Sequence, residues 1–332
     1  MIRTVFRGVG GFVPDNIVTN QDLTELMDTS DEWIIARTGI KQRHWINEEM
    51  GSSDLAVEAV GAAVENAGIE LLDIDCIVFA TLSPDHTFPG SGCFLQEKIG
   101  LAGIPALDVR NQCSGFIYGL SVADAWIRTG QYKCVLLVGA EVHSTGINIT
   151  TEGRDVACIF GDGAGAVILT PSQDSQRGVL STHLHADGKY ARSLWIEAPG
   201  SRFLPLRISK DMIDQGRHFP KMKGRHVFTH AVKRMPEVIL QGLEANGLGV
   251  DDVDLFIPHQ ANQLITEAVA QILGFDTKRV YSNIARYGNT TAASIPLCLR
   301  DAQEDGRLKT GDLVVLASFG AGFTWASAVV RW

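Results

Sequence analysis

Three polar residues, Cys113, His259 and Asn289, each follow a short apolar segment that is typical of a β-strand. Cys113 also stands where a helix begins, and the positive end of a helix dipole favours the thiolate form of cysteine. His259 is a candidate hydrogen-bond donor or base, because histidine titrates near neutral pH. Asn289 precedes an apolar helix, where asparagine is either an N-cap or a further member of a site. Together these residues indicate covalent chemistry with the thiol as nucleophile.

Two glycine-rich segments lie near these residues. Residues 319–323 follow another apolar stretch, and a turn there could present backbone N–H groups to an oxyanion. Residues 160–166 lack the G-x-G-x-x-G order and precede an apolar run, 167–169, that is typical of a strand. We therefore predict a tight turn beside the site at 160–166 and not a dinucleotide-binding loop.

An internal repeat relates the segments that carry the site. Residues 65–79 resemble residues 244–257 at an offset of 179 (247 − 68), and each segment predicts a helix, a glycine stop and a buried strand. Downstream, a predicted strand, helix and strand recur in both halves, at 106–109, 114–129 and 135–138, and at 279–282, 290–304 and 313–316. At an offset of 176 (289 − 113), Asn289 takes the position of Cys113.

This alternation predicts the fold class. Strands that alternate with helices form mostly parallel sheets covered on both faces. We therefore predict an α/β protein with five layers, α/β/α/β/α, built from two halves near residues 1–170 and 171–332. Ligands bind at the carboxyl ends of the strands in such sheets, which is where Cys113, His259 and Asn289 lie.

Composition excludes several classes of function. The 332 residues carry a formal net charge of −9, which argues against a nucleic-acid partner. No run of about 18 apolar residues occurs, so we expect no membrane span, and glycines follow the N-terminus too soon for a signal peptide. The six cysteines form no CxxC pair, which disfavours a metal site and a redox dithiol. We expect a cytoplasmic protein.

Several motifs closely resemble β-ketoacyl-acyl-carrier-protein synthase III, a condensing enzyme of the thiolase superfamily. They lie at residues 28–34, 108–116, 160–165, 258–262, 288–290 and 319–325. The resemblance covers essentially the whole chain, and it implies a thiolase-like fold for the predicted duplication.

The same resemblance implies a decarboxylating Claisen condensation that starts fatty-acid synthesis. Cys113 would take an acyl group from a coenzyme A thioester. His259 and Asn289 would then hold the thioester carbonyl of a malonyl donor while carbon dioxide leaves. The backbone N–H groups of Cys113 and Ala321 would form the oxyanion hole for acyl transfer. No cofactor is implied, because coenzyme A enters as part of a substrate.

Further binding residues are implied in the same way. The coenzyme A site would consist of Thr29, Trp33, Arg37, Arg154 and Asn262. Within it, Trp33 and Arg154 would sandwich the adenine and Arg37 would lie near the phosphates. The acyl pocket would include Phe88 and Phe319, with Phe88 reaching across the interface of a homodimer.

Departures from the family's pattern leave other functions open. After residues 258–262 no basic residue occurs before Lys278, so an acidic carrier protein would find less attraction there unless the basic run at 221–234 replaces it. The acceptor is therefore malonyl-acyl-carrier protein or malonyl-CoA. The long segment 197–223, together with residues 82–86 and 110–115, resembles members that make secondary metabolites such as alkylquinolones, from a longer or aromatic primer. A cysteine hydrolase and a non-catalytic paralogue are the remaining alternatives.

Overall fold

The computed structural model describes residues 2–332. Its strands are β1 Arg3–Phe12, β2 Ile17–Thr19, β3 Gln42–His44, β4 Cys76–Ala80, β5 Ala106–Val109, β6 Val135–Glu141, β7 Gly163–Ser172, β8 Gly178–Ala186, β9 Leu194–Ile196, β10 Pro220–Met222, β11 Leu255–Pro258, β12 Leu313–Gly320 and β13 Thr324–Arg331. Its helices are α1 Asn20–Thr24, α2 Asp31–Thr38, α3 Ser52–Ala67, α4 Ser91–Lys98, α5 Gly115–Thr129, α6 Arg154–Ala157, α7 Lys210–Asp214, α8 Gly224–Glu244, α9 Gln263–Leu273, α10 Ile284–Tyr287 and α11 Ser294–Glu304. Short 3₁₀ turns at Gln112–Ser114 and Thr291–Ala293 lead directly into α5 and α11.

Five strands form the first large sheet, in the order β1-β7-β6-β4-β5. β4 is parallel to both β5 and β6, whereas β7 runs antiparallel to β6 and β1. β4 and β6 are buried along their whole length. Their continuous apolar sequences are typical of parallel strands that are covered by helices on both faces.

The second large sheet repeats this order as β8-β13-β12-β11. β11 is parallel to β12, and β13 runs antiparallel to β12 and β8. Where the first sheet has its β4–β5 pair, the second has a single parallel bridge between Phe256 and Val280. The internal duplication is therefore confirmed, but the strand predicted at 279–282 is wrong because only that one bridge forms.

Helices fill three layers around the two sheets. α5 and α11 lie between the sheets and share a core with both of them, to which Phe116, Leu120, Ile295 and Leu299 contribute. α3 and α4 cover the outer face of the first sheet, and α8 and α9 cover the outer face of the second. The predicted α/β/α/β/α layering is confirmed.

The two turns before α5 and α11 fix how the halves correspond. Each contains a non-glycine residue with a positive φ, Gln112 at 45° and Thr291 at 49°. These positions are 179 residues apart (291 − 112), which matches the offset found between the upstream segments. The offset of 176 is therefore wrong, and Ala292 (292 − 113), not Asn289, is the counterpart of Cys113.

The sheets also divide the chain in sequence. Strands of the first sheet lie between residues 3 and 172, and those of the second between 178 and 331. A division into two folding units near residue 170 stays a prediction.

Among residues 2–332, no helix combines the length and apolar character needed to cross a membrane.

Candidate active site

Cys113 lies in the 3₁₀ turn between β5 and α5. The turn is strained, since residue types other than glycine rarely adopt the φ of 45° found at Gln112. α5 begins at Gly115, so Cys113 stands next to a helix N-terminus, as predicted. Only 6% of Cys113 is exposed, and a substrate must therefore reach the sulfur through a cavity.

Burial changes the acidity of this thiol in the direction opposite to the one expected from its place at a helix start. Desolvation, with a smaller contribution from the carboxylate of Glu141, raises the pKa of Cys113 to about 12. The backbone N–H groups of Ala321 and Cys113 lower this pKa, but their effect is smaller. The expectation of a thiolate is therefore wrong for the chain by itself, in which Cys113 is a neutral thiol at neutral pH.

The end of β12 approaches the nucleophile closely. A Cβ atom on Gly320 would lie 2.5 Å from Cβ and 2.9 Å from Sγ of Cys113, so no side chain fits there. Gly320 is the last residue of β12, and the predicted glycine-rich turn therefore begins only at Ala321. The backbone N–H of Ala321 lowers the pKa of Cys113 and therefore lies close to its sulfur, as a donor to the oxyanion of acyl transfer must.

His259 directly follows β11 and is buried. Its Nδ1 lies 2.7 Å from Oγ of Ser294. Burial, with a smaller contribution from His143, lowers the pKa of His259 to about 3, so the ring is neutral at neutral pH. Its Nε2 is buried and has no hydrogen-bond partner within residues 2–332. A buried polar atom without a partner is costly, and a bound substrate could supply the missing hydrogen bond.

Asn289 is held by both its backbone and its side chain. It forms a β-bridge with Phe160, in which its N–H donates to the carbonyl of Ile159 at 2.9 Å and its carbonyl accepts from the N–H of Gly161 at 3.1 Å. Its Oδ1 accepts from the N–H of Thr291 at 2.9 Å, which leaves Nδ2 as the end available to a ligand. Because α11 begins only at Ser294, the N-cap alternative for Asn289 is wrong.

Two cavities meet at Cys113. The first has a volume of about 550 Å³, and its walls include Leu82, His143 and Trp195. The second has a volume of about 430 Å³, and its walls include Trp33 and Asn289. Cys113 lines both cavities. This arrangement suits a reaction in which two substrate groups meet at one sulfur atom.

The five residues expected to bind coenzyme A lie together beside the second cavity. Trp33, Arg37 and Asn262 line it. The guanidinium groups of Arg37 and Arg154 lie 4.3 Å and 5.2 Å from the centre of the Trp33 ring. Oγ1 of Thr29 is buried and lacks a hydrogen-bond partner in the described chain. Asn262 caps α9 and donates to the carbonyl of Arg37 at 2.8 Å. Their role in binding coenzyme A stays a prediction.

The two phenylalanines expected in the acyl pocket lie apart. Phe319 is buried on the wall of the second cavity and does not line the first. Phe88 is 77% exposed and lines neither of the two cavities of its own chain. A role for Phe88 at the site therefore depends on a second copy of the chain.

Two buried ionisable residues of the site were missed by the sequence analysis, and both lie at the end of β6. Glu141 accepts hydrogen bonds from the hydroxyls of Ser83 at 2.6 Å and Thr81 at 3.1 Å, and burial raises its pKa to about 7. His143 has its Nε2 2.7 Å from Oγ1 of Thr291, and burial lowers its pKa to about 3. The strand-end rule would have found both if the strand predicted at 135–138 had been extended to 141.

Comparison with known proteins agrees with this arrangement. Residues 107–188 match the family described as 3-oxoacyl-[acyl-carrier-protein (ACP)] synthase III, and residues 243–332 match its C-terminal part. The chain is 46% identical to the β-ketoacyl-[acyl-carrier-protein] synthase III of Rhodospirillum rubrum, with 100% of both chains covered. The chain belongs to the 3-oxoacyl-[acyl-carrier-protein] synthase III family.

Solved structures agree with this membership. The β-ketoacyl-[acyl-carrier-protein] synthase III of Thermus thermophilus is 39% identical to this family member, with a TM-score of 0.91 over 99% of both chains. The priming β-ketosynthase of the R1128 polyketide pathway has a TM-score of 0.90 over 99% of this chain and 96% of its own, but it is only 28% identical. The thiolase-like fold is therefore confirmed, and the chain is a condensing acyltransferase of the synthase III type.

Proposed function

We propose that this synthase III starts fatty-acid synthesis by joining an acyl group from acyl-CoA to the two-carbon unit of malonyl-acyl-carrier protein. The observation that carries the proposal is a buried thiol, Cys113, at the junction of two cavities. Asn289 lines the second cavity, and His259 is connected to it through hydrogen bonds of Ser294 and Thr291. His259 lines neither of the two cavities, but its Nε2 and the Nδ2 of Asn289 form no hydrogen bond among residues 2–332.

In the first half of the proposed reaction, Sγ of Cys113 attacks the thioester carbonyl of acyl-CoA. The bond from that carbonyl to the coenzyme A sulfur breaks, and the proton of the thiol leaves with coenzyme A. The backbone N–H groups of Cys113 and Ala321 stabilise the oxyanion that forms in between. The reaction needs no cofactor, because coenzyme A is part of the substrate.

In the second half, the malonyl thioester loses carbon dioxide, and the electron pair of the broken carbon–carbon bond moves into an enolate. Nε2–H of His259 and Nδ2 of Asn289 donate hydrogen bonds to the enolate oxygen. The enolate carbon then attacks the acyl carbonyl on Cys113, which releases the 3-ketoacyl product and a thiolate that takes a proton from solvent. A neutral His259 is suited to this role because it can donate from Nε2 without the cost of a buried positive charge.

Charge at the second cavity supports a carrier protein as the source of the malonyl group. Arg225, at the start of α8, is exposed and lines this cavity, and it forms no ion pair among residues 2–332. Lys223 is also exposed, and so is Lys221, which forms an ion pair with Glu197 at 3.5 Å. An acidic carrier protein would be steered to such a surface. These residues supply the positive charge that residues 263–277 lack.

We also infer that the enzyme is a homodimer. β5 is one of the two edge strands of the first sheet, and its Leu107 is 38% exposed. An uncovered strand edge with apolar residues favours pairing with another chain. A partner bound there would bring its own Phe88 towards the first cavity, as the family resemblance implies.

The cysteines of the described chain are all free, which supports our expectation of a cytoplasmic location.

A second candidate is the same condensation with a longer or aromatic primer, as in secondary metabolism. The observation that favours it is the volume of the first cavity, about 550 Å³, because cavities of this size commonly hold drug-sized ligands. The acyl-CoA that modifies Cys113 fastest distinguishes the two candidates.

Intact-protein mass spectrometry with a panel of acyl-CoAs tests the first half of the reaction. We expect one acyl group on the wild type and on Cys93→Ala, an exposed cysteine, and none on Cys113→Ala. His259→Ala and Asn289→Ala should accept the acyl group but lose condensation, measured with malonyl-acyl-carrier protein and separately with malonyl-CoA. Acylation of Cys113→Ala, or full condensation by His259→Ala, would contradict the proposal.

A further inference from the structure

The proposed role of His259 requires a particular tautomer. To donate a hydrogen bond from Nε2, a neutral imidazole must carry its single proton there, and Nδ1 must then accept a hydrogen bond. A ring that carried the proton on Nδ1 would present a lone pair to the substrate oxygen and would repel it. The group next to Nδ1 therefore decides whether His259 can act as a donor.

Within residues 2–332, Nδ1 of His259 has one hydrogen-bond partner, Oγ of Ser294 at 2.7 Å. The Ser294 hydroxyl carries a single proton and has two acceptors, Nδ1 of His259 and the carbonyl of Thr291 at 2.9 Å. When the proton points to Nδ1, His259 presents Nε2–H to the substrate. When it points to Thr291, His259 keeps its proton on Nδ1, and Nε2 cannot donate.

We propose that Ser294 is a positioning residue that donates to Nδ1 and thereby holds His259 as the tautomer with its proton on Nε2. This inference rests on the proposed function, because only a donor role for His259 requires that tautomer. Ser294 is the first residue of α11 and is itself buried. Its Oγ lies closer to Nδ1 of His259, at 2.7 Å, than to the carbonyl of Thr291, at 2.9 Å, and the shorter contact favours donation of the hydroxyl proton towards His259.

The turn before α11 contacts both Ser294 and Asn289, the second proposed donor. Thr291, held at a positive φ of 49°, donates its N–H to Oδ1 of Asn289 at 2.9 Å and offers its carbonyl to Ser294. Its Oγ1 is bound by His143 at 2.7 Å, which keeps the residue in this strained conformation. The turn therefore orients Asn289, whereas its Thr291 carbonyl competes with Nδ1 of His259 for the proton of Ser294.

The test compares Ser294→Ala with Ser294→Thr, which keeps the hydroxyl, and with Ser327→Ala as a control. Ser327 is a buried serine whose hydroxyl donates to the carbonyl of Val238. For Ser294→Ala we expect unchanged acylation of Cys113, while kcat for malonyl decarboxylation falls by on the order of 100-fold at similar KM, as when one oxyanion donor is lost. Ser294→Thr should recover most of this loss, and Ser327→Ala should behave as the wild type.

Nitrogen NMR of ¹⁵N-histidine-labelled wild-type enzyme gives a readout independent of turnover and of variant folding. We expect the His259 signals of a ring protonated on Nε2, and a mixture of tautomers in Ser294→Ala. A wild-type ring protonated on Nδ1, or wild-type decarboxylation by Ser294→Ala, would overturn the inference. An equal loss of acylation and decarboxylation would also overturn it, since that pattern indicates a merely structural role. A wild type that accepts acyl groups but never condenses would instead refute the proposed function.

Discussion

Replacing His259 with glutamine is expected to make the folded protein less sensitive to acid. Burial lowers the pKa of His259 to about 3 in the folded state, whereas a histidine in the unfolded chain titrates near pH ~6.5. Between these two values the unfolded chain binds a proton that the folded chain does not, so the free energy of unfolding falls as the pH falls. A pH of 5 lies about 1.5 units below the unfolded-state pKa, and at about 1.36 kcal/mol per unit the loss is about 2 kcal/mol.

Urea unfolding followed by tryptophan fluorescence, at about pH 7 and about pH 5 and at one protein concentration, measures this loss. Between the two pH values, His259→Gln should lose about 2 kcal/mol less than the wild type. His86→Gln is the matched control, because His86 is exposed, and it should lose as much as the wild type. The contributions of the other titrating groups are the same in both proteins and cancel when the two losses of unfolding free energy are subtracted. An equal loss in His259→Gln and wild type would refute the conclusion that His259 is buried as a neutral ring.

Further perturbations test the thiol and the carrier surface. Gly320→Ala should block acylation of Cys113 in the mass-spectrometric assay, since the methyl group would collide with the thiol, whereas Gly61→Ala, which has nothing within 4 Å, should not. Alkylation of Cys113 by iodoacetamide should keep accelerating above pH ~9, because its pKa is about 12; a plateau near the ordinary thiol pKa of ~8.5 would contradict this. Arg225→Glu should raise KM for malonyl-acyl-carrier protein roughly tenfold. KM for malonyl-CoA should rise less, because only the carrier protein adds an acidic surface to the contact with Arg225. Lys133→Glu, at an exposed site away from the cavities, should alter neither, and an equal effect of both substitutions would argue against docking at Arg225.

The places of Cys113 and His259 could be predicted from the sequence, because each depends on the local sequence of one strand and its end. The correspondence of the two halves around Asn289 could not, since the strand expected before it is reduced to the bridge between Phe256 and Val280. The offset of 176 between Asn289 and Cys113 assumed that strand and is therefore wrong. The fold class, by contrast, depends on a repeated pattern of many segments, so one misplaced strand did not affect it.

The acidity of Cys113 and the tautomer of His259 depend on contacts that are distant in sequence. The start of a helix predicts only how the helix dipole affects the pKa of Cys113. The larger effect on this pKa is desolvation, because Cys113 is buried, in part by the close approach of Gly320 at the end of β12. Similarly, the partner of Nδ1 in His259 is a serine 35 positions away. Neither contact has a sequence signature of its own, and His143 was missed only because its strand was predicted too short.

The duplicated turn explains why the site needs both halves of the chain. In the first half, the strained turn at Gln112 presents the thiol of Cys113. The equivalent turn at Thr291 has Ala292 in that place, and its backbone orients Asn289, while Ser294, which follows this turn, contacts His259. The two turns are coupled, because Glu141 of the first half accepts the N–H of Ala292 at 3.4 Å. A side chain on Gly139 would collide with the carbonyl of Ala292. A substitution that separated these segments would therefore move the proposed donors away from the nucleophile without changing any of the three reactive groups.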